Sequence, residues 1–292
     1  MQILHTIDEL RAARAALAGT VALVPTMGYL HRGHLSLMAR ALEEADHLIV
    51  TIFVNPRQFG PSEDLDNYPR DEAGEIAACK KAGCTLLFMP PPEEIYPPEY
   101  STEVIVHTLG DHLCGSSRPG HFEGVTTVVS KLFNLTQPHL AVFGQKDYQQ
   151  LAIIRRMVRD LNFPVRIIAG PTVREADGLA MSSRNRYLQP EERLRAAALN
   201  QALRQAHRAF QEGLRDPDAL IALAAATLEA AQVGTIDYIQ CVHPDSLQPF
   251  LSEGIEDTGA LLALAVHVGA ARLIDNLRLD QPLPPGLPPE PR

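Results

Sequence analysis

Residues 24–38 read VPTMGYLHRGHLSLM, and this stretch decides the fold class of the chain. The apolar run that leads into it, Thr20–Val24, predicts a short buried strand. From about Gly33 to Ala45 apolar residues recur at the three-to-four spacing of a helix, which predicts a helix there. Two glycines and two histidines therefore occupy the first strand-to-helix turn of the chain.

Strands and helices alternate in the same way through the N-terminal part of the chain. The sequence predicts helices at 33–45, 71–82, 122–135 and 148–161, and strands at Thr20–Val24, His47–Val54, Thr85–Met89, Val104–His107, Leu140–Phe143 and Val165–Ala169. Such alternation is typical of a parallel, doubly wound, Rossmann-like α/β sheet. Ligands of these sheets bind beyond the carboxyl ends of the strands. We therefore expect the functional residues in the segments that follow strands.

The character of the sequence changes after residue 185. Ala-rich helices are predicted within 189–214 and 216–232, and three β-like runs follow at Ile236–Val242, Leu261–Val268 and Arg272–Asn276. This pattern predicts a smaller α+β domain at the C-terminal end. The expected division is residues 1–175 for the Rossmann-like domain, 176–280 for the smaller domain, and 281–292 for a Pro-rich tail that we expect to be disordered.

The composition argues against several classes of protein. The chain has 292 residues, 46% of them hydrophobic, and a formal net charge of -9. We expect no nucleic-acid partner, since clustered Lys and Arg are needed to hold phosphate backbones. The four cysteines form neither a CxxC pair nor a disulfide framework. No signal peptide is visible, and no apolar run reaches the roughly 18–20 residues of a membrane helix, so we expect a cytoplasmic protein with no membrane partner.

His31 and His34 lie three positions apart, and three interpretations of the pair compete. A zinc site of the HExxH kind needs histidines four apart with a glutamate between them, so a metal site is disfavoured. A glycine-bearing turn with incidental histidines is the ordinary structural alternative. The third is a phosphate cradle, because helix N-termini attract anions and imidazole N–H groups donate to phosphate oxygens. The pair by itself leaves the last two interpretations open.

Two further clusters are suited to phosphate, and each has a structural alternative. Lys146, one of only four lysines in the chain, follows a predicted strand in FGQKDYQQL. In the same motif Asp147 and Gln150 resemble a helix capping box, which is compatible with a binding role for the lysine. Residues 182–184, Ser-Ser-Arg, are phosphate-compatible donors, but serine is also a common turn residue and arginine a common surface residue.

The other polar clusters are suited to a small substrate. Asn55 and Gln58 lie in a long Pro- and Gly-rich loop after a predicted strand, and loops of that length are often functional. Their amides are suited to hydrogen-bonding a small polar molecule. Arg118 is suited to pairing with a carboxylate, although a surface ion pair is its commonest role in proteins.

Six motifs occur in a fixed order along about residues 1–280: PTMGYLHRGHLSLM, FVNPRQFGPSEDLDNYPR, SSRPGHFEGVTTVVSKLF, FGQKDYQQL, DGLAMSSRNRYL and ARLIDN. Their order and approximate spacing resemble those of the pantoate–β-alanine ligase (pantothenate synthetase) family, of the nucleotidyltransferase-like HxGH superfamily. The resemblance implies an ATP-dependent condensation of (R)-pantoate with β-alanine through a pantoyl adenylate, with release of AMP and pyrophosphate. It also implies Mg2+ as cofactor, small-molecule substrates, and a homodimer.

The resemblance implies roles for individual residues as well. His31, His34, Lys146 and Arg184 resemble the catalytic groups that face the phosphates. The implied ATP contacts are Met27, His31, His34, Gly144, Lys146, Asp147, Val173, Met181, Ser182, Ser183 and Arg184. The implied substrate contacts are Phe53, Asn55, Gln58, Arg118 and Gln150, with Met27 and Phe53 against the apolar end of pantoate. The smaller domain is implied to close over this site.

The metal-linked carboxylate is where this chain departs from the family pattern. The family has an aspartate near the magnesium in the helix after YPR, and here Glu75 stands at the approximate place, with Asp71 as the alternative. Mg2+ binds mainly through substrate phosphates in such sites. Two other functions remain open from the sequence: a nucleotidyltransferase that keeps the nucleotide on its product, and a nucleotide-binding regulatory protein. The latter would bind ATP without releasing pyrophosphate.

Overall fold

The computed structural model describes residues 1–61, 63–250, 254–255 and 259–283 of the chain. The chain divides into two compact units, each built from separate segments. The first unit comprises Met1–Gly110, Arg118–Gln145 and Gln150–Gly170, and the second comprises Asp111–Ser117, Lys146–Gln149 and Pro171–Arg292. Over the described residues, no helix combines the length and the apolar character that crossing a bilayer requires.

The first unit is built on a six-stranded parallel sheet. Its strands are β1 Gln2–Leu4, β2 Val21–Thr26, β3 His47–Ile52, β4 Leu86–Phe88, β5 Leu140–Gly144 and β6 Arg166–Gly170, in the spatial order β1-β4-β3-β2-β5-β6. Each of these neighbouring pairs is parallel. The strand order reverses between β2 and β5, and sheets of this kind bind ligands at such a switch point.

Helices of the first unit cover the two faces of this sheet, and the helices of both units are numbered together. In chain order the helices of the described residues are α1 Ile7–Ala15, α2 Arg32–Leu42, α3 Glu72–Lys81, α4 Pro92–Ile95, α5 Cys114–Ser117, α6 His121–Thr136, α7 Tyr148–Asp160, α8 Pro190–Ala196, α9 Ala198–Gln211 and α10 Pro217–Ala230. β2 is apolar without alternation because both of its faces are buried. Leu23 belongs to a cluster with Val129 of α6, and Val24 belongs to a second cluster with Met38 and Ala41 of α2.

The second unit has a separate core. β7 Thr235–Val242, β8 Leu261–Val268 and β9 Ala271–Arg278 form an antiparallel sheet in the order β7-β8-β9. Leu203 of α9, Leu220 of α10 and Leu264 of β8 are fully buried in its hydrophobic cluster. Along β9 the odd-numbered residues are buried and the even-numbered residues are partly exposed, so successive side chains face opposite sides of the sheet.

The parallel sheet with its helices and the smaller α+β part confirm the predicted fold class. The predicted strand Val104–His107 is wrong, because residues 104–106 belong to no strand. Val104 instead donates its N–H to Thr127 Oγ1 at 3.0 Å, and its carbonyl accepts from Thr126. Hydroxyl groups of α6 thus satisfy backbone groups that a neighbouring strand would otherwise bond.

Three further points of the prediction can be compared with the structure: the elements before residue 20, the bounds of α2, and the C-terminal tail. β1 and α1 are not predicted from the sequence. For β1 the reason is that a three-residue edge strand is too short to show a periodic pattern. α2 begins at Arg32 and ends at Leu42, one residue earlier and three residues earlier than predicted. The predicted disorder of the Pro-rich tail 281–292 falls, from residue 284 onward, outside the described residues.

Candidate active site

The turn between β2 and α2 is closed by the two histidines. His31 is the residue that caps α2, and its Nδ1 accepts the N–H of Gly33 at 3.1 Å. His34 Nδ1 accepts the N–H of His31 at 3.2 Å, and the two rings stack with centroids 4.1 Å apart. This is a reciprocal capping box made of imidazoles, and it explains the spacing of three residues. Because each Nδ1 accepts a backbone N–H, each ring carries its proton on Nε2.

A buried glutamate of α3 supports the same turn. Gly28 and Tyr29 both have positive φ, at 89° and 47°. The N–H of Tyr29 donates to Glu75 Oε1 at 2.5 Å, and Glu75 of α3 is only 4% exposed. A Cβ at position 28 would lie 2.6 Å from the same oxygen, so the turn requires glycine there. Burial raises the pKa of the Glu75 carboxyl above its usual value, against the lowering effect of the Tyr29 N–H.

Three predicted substrate residues lie together beyond the ends of β2 and β3. Asn55 Nδ2 donates to Gln58 Oε1 at 3.0 Å, and Gln58 Nε2 lies 3.1 Å from Met27 Sδ. Asn55 and Gln58 are almost fully buried. A short 3-10 turn at Pro56–Gln58 presents Gln58, and the Asn55 side chain caps that turn. The structure therefore brings Met27, Asn55 and Gln58 into one hydrogen-bonded group.

Two residues that the sequence does not single out hold Asn55 of this group by hydrogen bonds. Tyr96 donates its hydroxyl proton to Asn55 Oδ1 at 2.9 Å, and its ring lies 6.1 Å from that of Phe53. Gly124 of α6 accepts from Asn55 Nδ2 at 3.0 Å through its carbonyl. A Cβ at Gly124 would clash with the carbonyl oxygen of Arg57, so only glycine permits this approach. Phe53 is itself 5% exposed, as an apolar wall requires.

Arg118 is engaged by a partner within the first unit. Its guanidinium makes a two-pronged pair with Glu63, with both N–O distances at 2.6 Å. His121 Nδ1 lies 2.8 Å from the carbonyl oxygen of Gln58, and Arg118 Nη2 donates to that oxygen at 3.3 Å. Burial raises the pKa of the Glu63 carboxyl, but Arg118 lowers it further, so the pKa lies below its usual value. The predicted carboxylate partner of Arg118 is thus supplied by the chain itself.

Gln150 and Gly144 complete the predicted residues of the first unit. Gln150 lies in the first turn of α7 and is half-buried. Gly144 is the last residue of β5, where it pairs with Gly170 of β6. Both lie at or just beyond the carboxyl end of β5, on the β5 side of the switch point.

Lys146 and Asp147 belong to the second unit. They lie in a 3-10 turn, and Lys146 Nζ is 3.6 Å from Asp147 Oδ1. The Lys146 side chain is 20% exposed, so it is accessible to a ligand. Asn276 Nδ2 of β9 donates to the carbonyl oxygen of Lys146 at 2.7 Å, which fixes the backbone at this point.

The Ser-Ser-Arg cluster lies at the start of a third 3-10 turn, Ser183–Tyr187. Ser182 caps it, accepting the N–H of Arg184 on Oγ at 3.3 Å. Just before the turn, Met181 donates its N–H to the carbonyl of Val173 at 2.9 Å, and Arg174 forms an antiparallel bridge with Ala180. The structure therefore holds the predicted ATP contacts Val173, Met181, Ser182, Ser183 and Arg184 in one folded loop of the second unit.

The two carboxylates considered for magnesium are occupied by backbone donors. Glu75 accepts from Tyr29, and Asp71 caps α3 by accepting the N–H of Gly74 at 3.1 Å. Over the described part of the chain, no group of three or more His, Cys, Asp or Glu side chains is arranged to hold a metal ion. A magnesium ion at Glu75 or Asp71 would therefore have to be held mainly by the phosphates of ATP.

The sheet, its switch point and the polar groups beyond β2 and β3 define a doubly wound α/β protein with a candidate site at the carboxyl ends of its strands. The model of the Pantoate-beta-alanine ligase family matches residues 2–278. The chain therefore belongs to the pantoate–β-alanine ligase family, whose members are carbon–nitrogen ligases.

Individual relatives agree with this assignment over nearly the whole chain. The chain is 52% identical over 280 residues to the pantothenate synthetase of Roseiflexus sp. (strain RS-1), which covers 96% of this chain and 100% of that protein. The crystal structure of pantothenate synthetase from Thermus thermophilus matches with a TM-score of 0.90 and 47% identity, covering 96% and 99%. That of the Francisella tularensis pantoate-beta-alanine ligase, complexed with beta-gamma ATP and beta-alanine, matches with a TM-score of 0.79 and 33% identity, covering 97% and 99%.

Proposed function

We propose that this chain condenses (R)-pantoate with β-alanine to pantothenate, using ATP and releasing AMP and pyrophosphate. Family membership supports the reaction class, and the Francisella tularensis relative is described in complex with beta-gamma ATP and beta-alanine. The observation that carries the proposal is the histidine pair that caps α2, since two Nε2–H donors beside a helix N-terminus are suited to phosphate oxygens.

In the first proposed step a carboxylate oxygen of pantoate attacks the α-phosphorus of ATP. The bond from that phosphorus to the bridging oxygen breaks, and pyrophosphate leaves with the electron pair. Negative charge accumulates around the phosphorus, so the site must supply preorganised donors and positive charge. We assign His34 and His31 as the donors, and Lys146 and Arg184 as the positive charges.

The remaining proposed contacts fix the two substrates. Gln58 and Gln150 hold the polar groups of pantoate, Met27 and Phe53 lie against its apolar end, and Asn55 orients Gln58. The ATP contacts are Met27, Gly144, Asp147, Val173, Met181, Ser182 and Ser183, in addition to the four charged or donor groups. No enzyme nucleophile is needed, because positioning and charge stabilisation carry the rate.

In the second proposed step the amine of β-alanine attacks the carbonyl carbon of the pantoyl adenylate. The new C–N bond forms, the C–O bond to AMP breaks, AMP takes the electron pair, and the nitrogen gives up a proton. For Arg118 to receive the carboxylate of β-alanine, it must exchange Glu63 for the substrate. Mg2+ accompanies ATP as the counter-ion of its phosphates.

We further propose that the smaller domain closes over the site, and that the enzyme works as a homodimer in the cytoplasm. Closure would exclude water from a reactive acyl adenylate, which is the usual reason for such motion. Light scattering after size-exclusion chromatography tests the dimer, and small-angle scattering with and without ATP tests closure. A mass of 32.0 kDa, that of one chain, would contradict the dimer.

The adenylate route is tested with pantoate carrying 18O in both carboxylate positions. One labelled oxygen bridges carbon and phosphorus in the intermediate and stays on phosphorus when the amine attacks carbon. The proposal therefore predicts one 18O atom in each AMP formed, with AMP formation dependent on pantoate and β-alanine. Unlabelled AMP, or ADP and phosphate as products, would contradict it.

A further inference from the structure

Two neighbouring residues of β9, Asp275 and Asn276, contact two segments of the second unit that carry proposed ATP-binding residues. They end the motif ARLIDN, residues 271–276, to which the reaction proposed above assigns no role. Successive side chains of a strand face opposite sides, so one strand reaches a different segment from each of its faces.

Asn276 fixes the segment that carries Lys146. Its Nδ2 donates to the carbonyl oxygen of Lys146 at 2.7 Å. Two positions along the same face of β9, Arg278 Nη1 lies 3.3 Å from the hydroxyl of Tyr148. Gln149 is held as well, since its Oε1 accepts the N–H of Cys114 at 3.0 Å. The segment around Lys146 is therefore tied to β9 through the backbone of Lys146 itself and through the side chain of Tyr148.

Asp275 fixes the loop that carries the Ser-Ser-Arg cluster. Its two carboxylate oxygens accept from Arg174 at 2.6 and 3.0 Å, and Asp275 is 2% exposed. Arg174 also donates to the carbonyl of Gly178 at 3.1 Å, and its backbone bridges to Ala180. A two-pronged pair of this kind fixes direction as well as distance. The entry to residues 181–184 is thus held to the opposite face of β9.

We propose that Asp275 and Asn276 are positioning residues for ATP. Through one strand, they hold the turn at Lys146 and the turn at Ser182–Arg184 at fixed positions relative to each other. The inference rests on the proposed function, because it takes Lys146 and Arg184 as phosphate contacts. Phosphate donors must be held to within about half an ångström to act on one transition state. A strand whose backbone is bonded along its whole length to β8 provides that rigidity.

The test begins with Asn276→Asp, which keeps the shape of the side chain and removes the donor to Lys146. We expect a roughly tenfold weaker ATP affinity and a pyrophosphate-exchange rate lower by about 10- to 100-fold, in line with the cost of small misplacements. The KM for pantoate is expected to stay within about twofold. Gln211→Glu is the matched control, because Gln211 Nε2 also donates to a backbone carbonyl oxygen at 2.7 Å, that of Leu279, and neither residue is a proposed ATP contact; its ATP affinity is expected to be unchanged.

A double-mutant cycle separates positioning from a general structural role. If Asn276 acts through Lys146, adding Asn276→Asp to Lys146→Ala lowers ATP affinity no further. If the losses of ATP affinity caused by Asn276→Asp and Lys146→Ala multiply in the double variant, the inference is overturned. Should Asn276→Asp fail to fold, Asn276→Ala removes the same donor without a new charge and completes the cycle. Pantoate-dependent pyrophosphate exchange by the unaltered protein is measured first, and its absence would contradict both the proposed function and this inference. If exchange is present but the effects of Asn276→Asp and Lys146→Ala on ATP affinity multiply, only the inference is contradicted.

Discussion

The backbone N–H of Tyr29 donates to the buried Oε1 of Glu75, across 46 positions of sequence. Tyr29 and its neighbour Gly28 both have positive φ, and such backbone is costly for a residue with a side chain. Two residues after Tyr29 comes His31, whose Nδ1 caps α2. The carboxylate of Glu75 therefore helps to determine where the histidine pair lies.

Replacement of Glu75 distinguishes support of this turn from metal binding. Glu75→Gln keeps an oxygen within reach of the Tyr29 N–H, so we expect its exchange rate to stay within about threefold of the unaltered protein. Glu75→Asp is one methylene shorter and loses that hydrogen bond, which is worth about 1 kcal/mol, so a rate about fivefold lower is expected. The measurement is pyrophosphate exchange as a function of Mg2+ concentration. A Gln variant that requires much more Mg2+, beside an Asp variant of normal behaviour, would instead make Glu75 a metal ligand.

Removal of the Tyr96 hydroxyl is expected to affect pantoate and not ATP. That hydroxyl donates to Asn55 Oδ1 at 2.9 Å, and Asn55 in turn holds Gln58 Oε1 at 3.0 Å. Loss of one such buried hydrogen bond costs about 1 kcal/mol, so Tyr96→Phe should raise the KM for pantoate about fivefold. The KM for ATP should not change. Tyr100→Phe is the control, since its ring lies against that of Tyr96 at 5.0 Å, and equal effects of the two variants would refute the chain of hydrogen bonds.

His34→Ala is expected to lower the adenylation rate and to preserve pantoate binding. The variant loses the Nε2–H donor and also the Nδ1 acceptor that caps the N–H of His31. Removal of one preorganised donor at a developing charge typically costs about 10²- to 10³-fold in rate. Single-turnover formation of the adenylate measures the rate, and calorimetry measures pantoate affinity. Near-normal adenylation would remove His34 from its assigned role.

The Arg118–Glu63 pair predicts a pH-dependent contribution to stability. The pKa of Glu63 is below its usual value in the folded chain, where burial is outweighed by the bonds from Arg118. The pair therefore stabilises the fold above the unfolded pKa of about 4.3, and this contribution is lost as the pH falls through the folded pKa. Urea unfolding should show that Glu63→Gln lowers the free energy of unfolding at pH 7, and that the difference shrinks below about pH 4.

The control for this experiment is Glu103→Gln. Glu103 pairs with Arg57, and its side chain is 44% exposed against 23% for Glu63. Exposed ion pairs contribute little, so Glu103→Gln should leave the free energy of unfolding almost unchanged at every pH. A Glu63→Gln effect that is the same at pH 7 and pH 3.5 would show that packing, and not ionisation, is responsible.

The sequence predicts those parts of the fold and site that depend on local pattern. The strand, turn and helix of residues 24–38 follow from a continuous apolar run, glycines and helical spacing, and α2 begins within one residue of the predicted start. The residues after β3 were also predictable, because polar side chains that follow a buried strand lie at the ligand-binding edge. Asn55 and Gln58 do form one group with Met27.

The parts that were not predictable depend on contacts between distant segments. Tyr96 lies 41 positions from Asn55, and Asn276 lies 130 positions from Lys146. No local pattern marks either residue as a partner. Arg118 shows the converse, since its charge suggests a substrate carboxylate while the structure supplies Glu63, 55 positions away. Val104–His107 has the β-branched composition of a strand, but threonines of α6 bond its backbone.

The most direct test of the account is isotope exchange between pyrophosphate and ATP, with Mg2+ present and β-alanine omitted. Reversible formation of a pantoyl adenylate regenerates ATP from labelled pyrophosphate only when pantoate is present. We expect exchange that depends on pantoate and that falls about 10²- to 10³-fold in His34→Ala. Folded, ATP-binding protein that shows no pantoate-dependent exchange would contradict it.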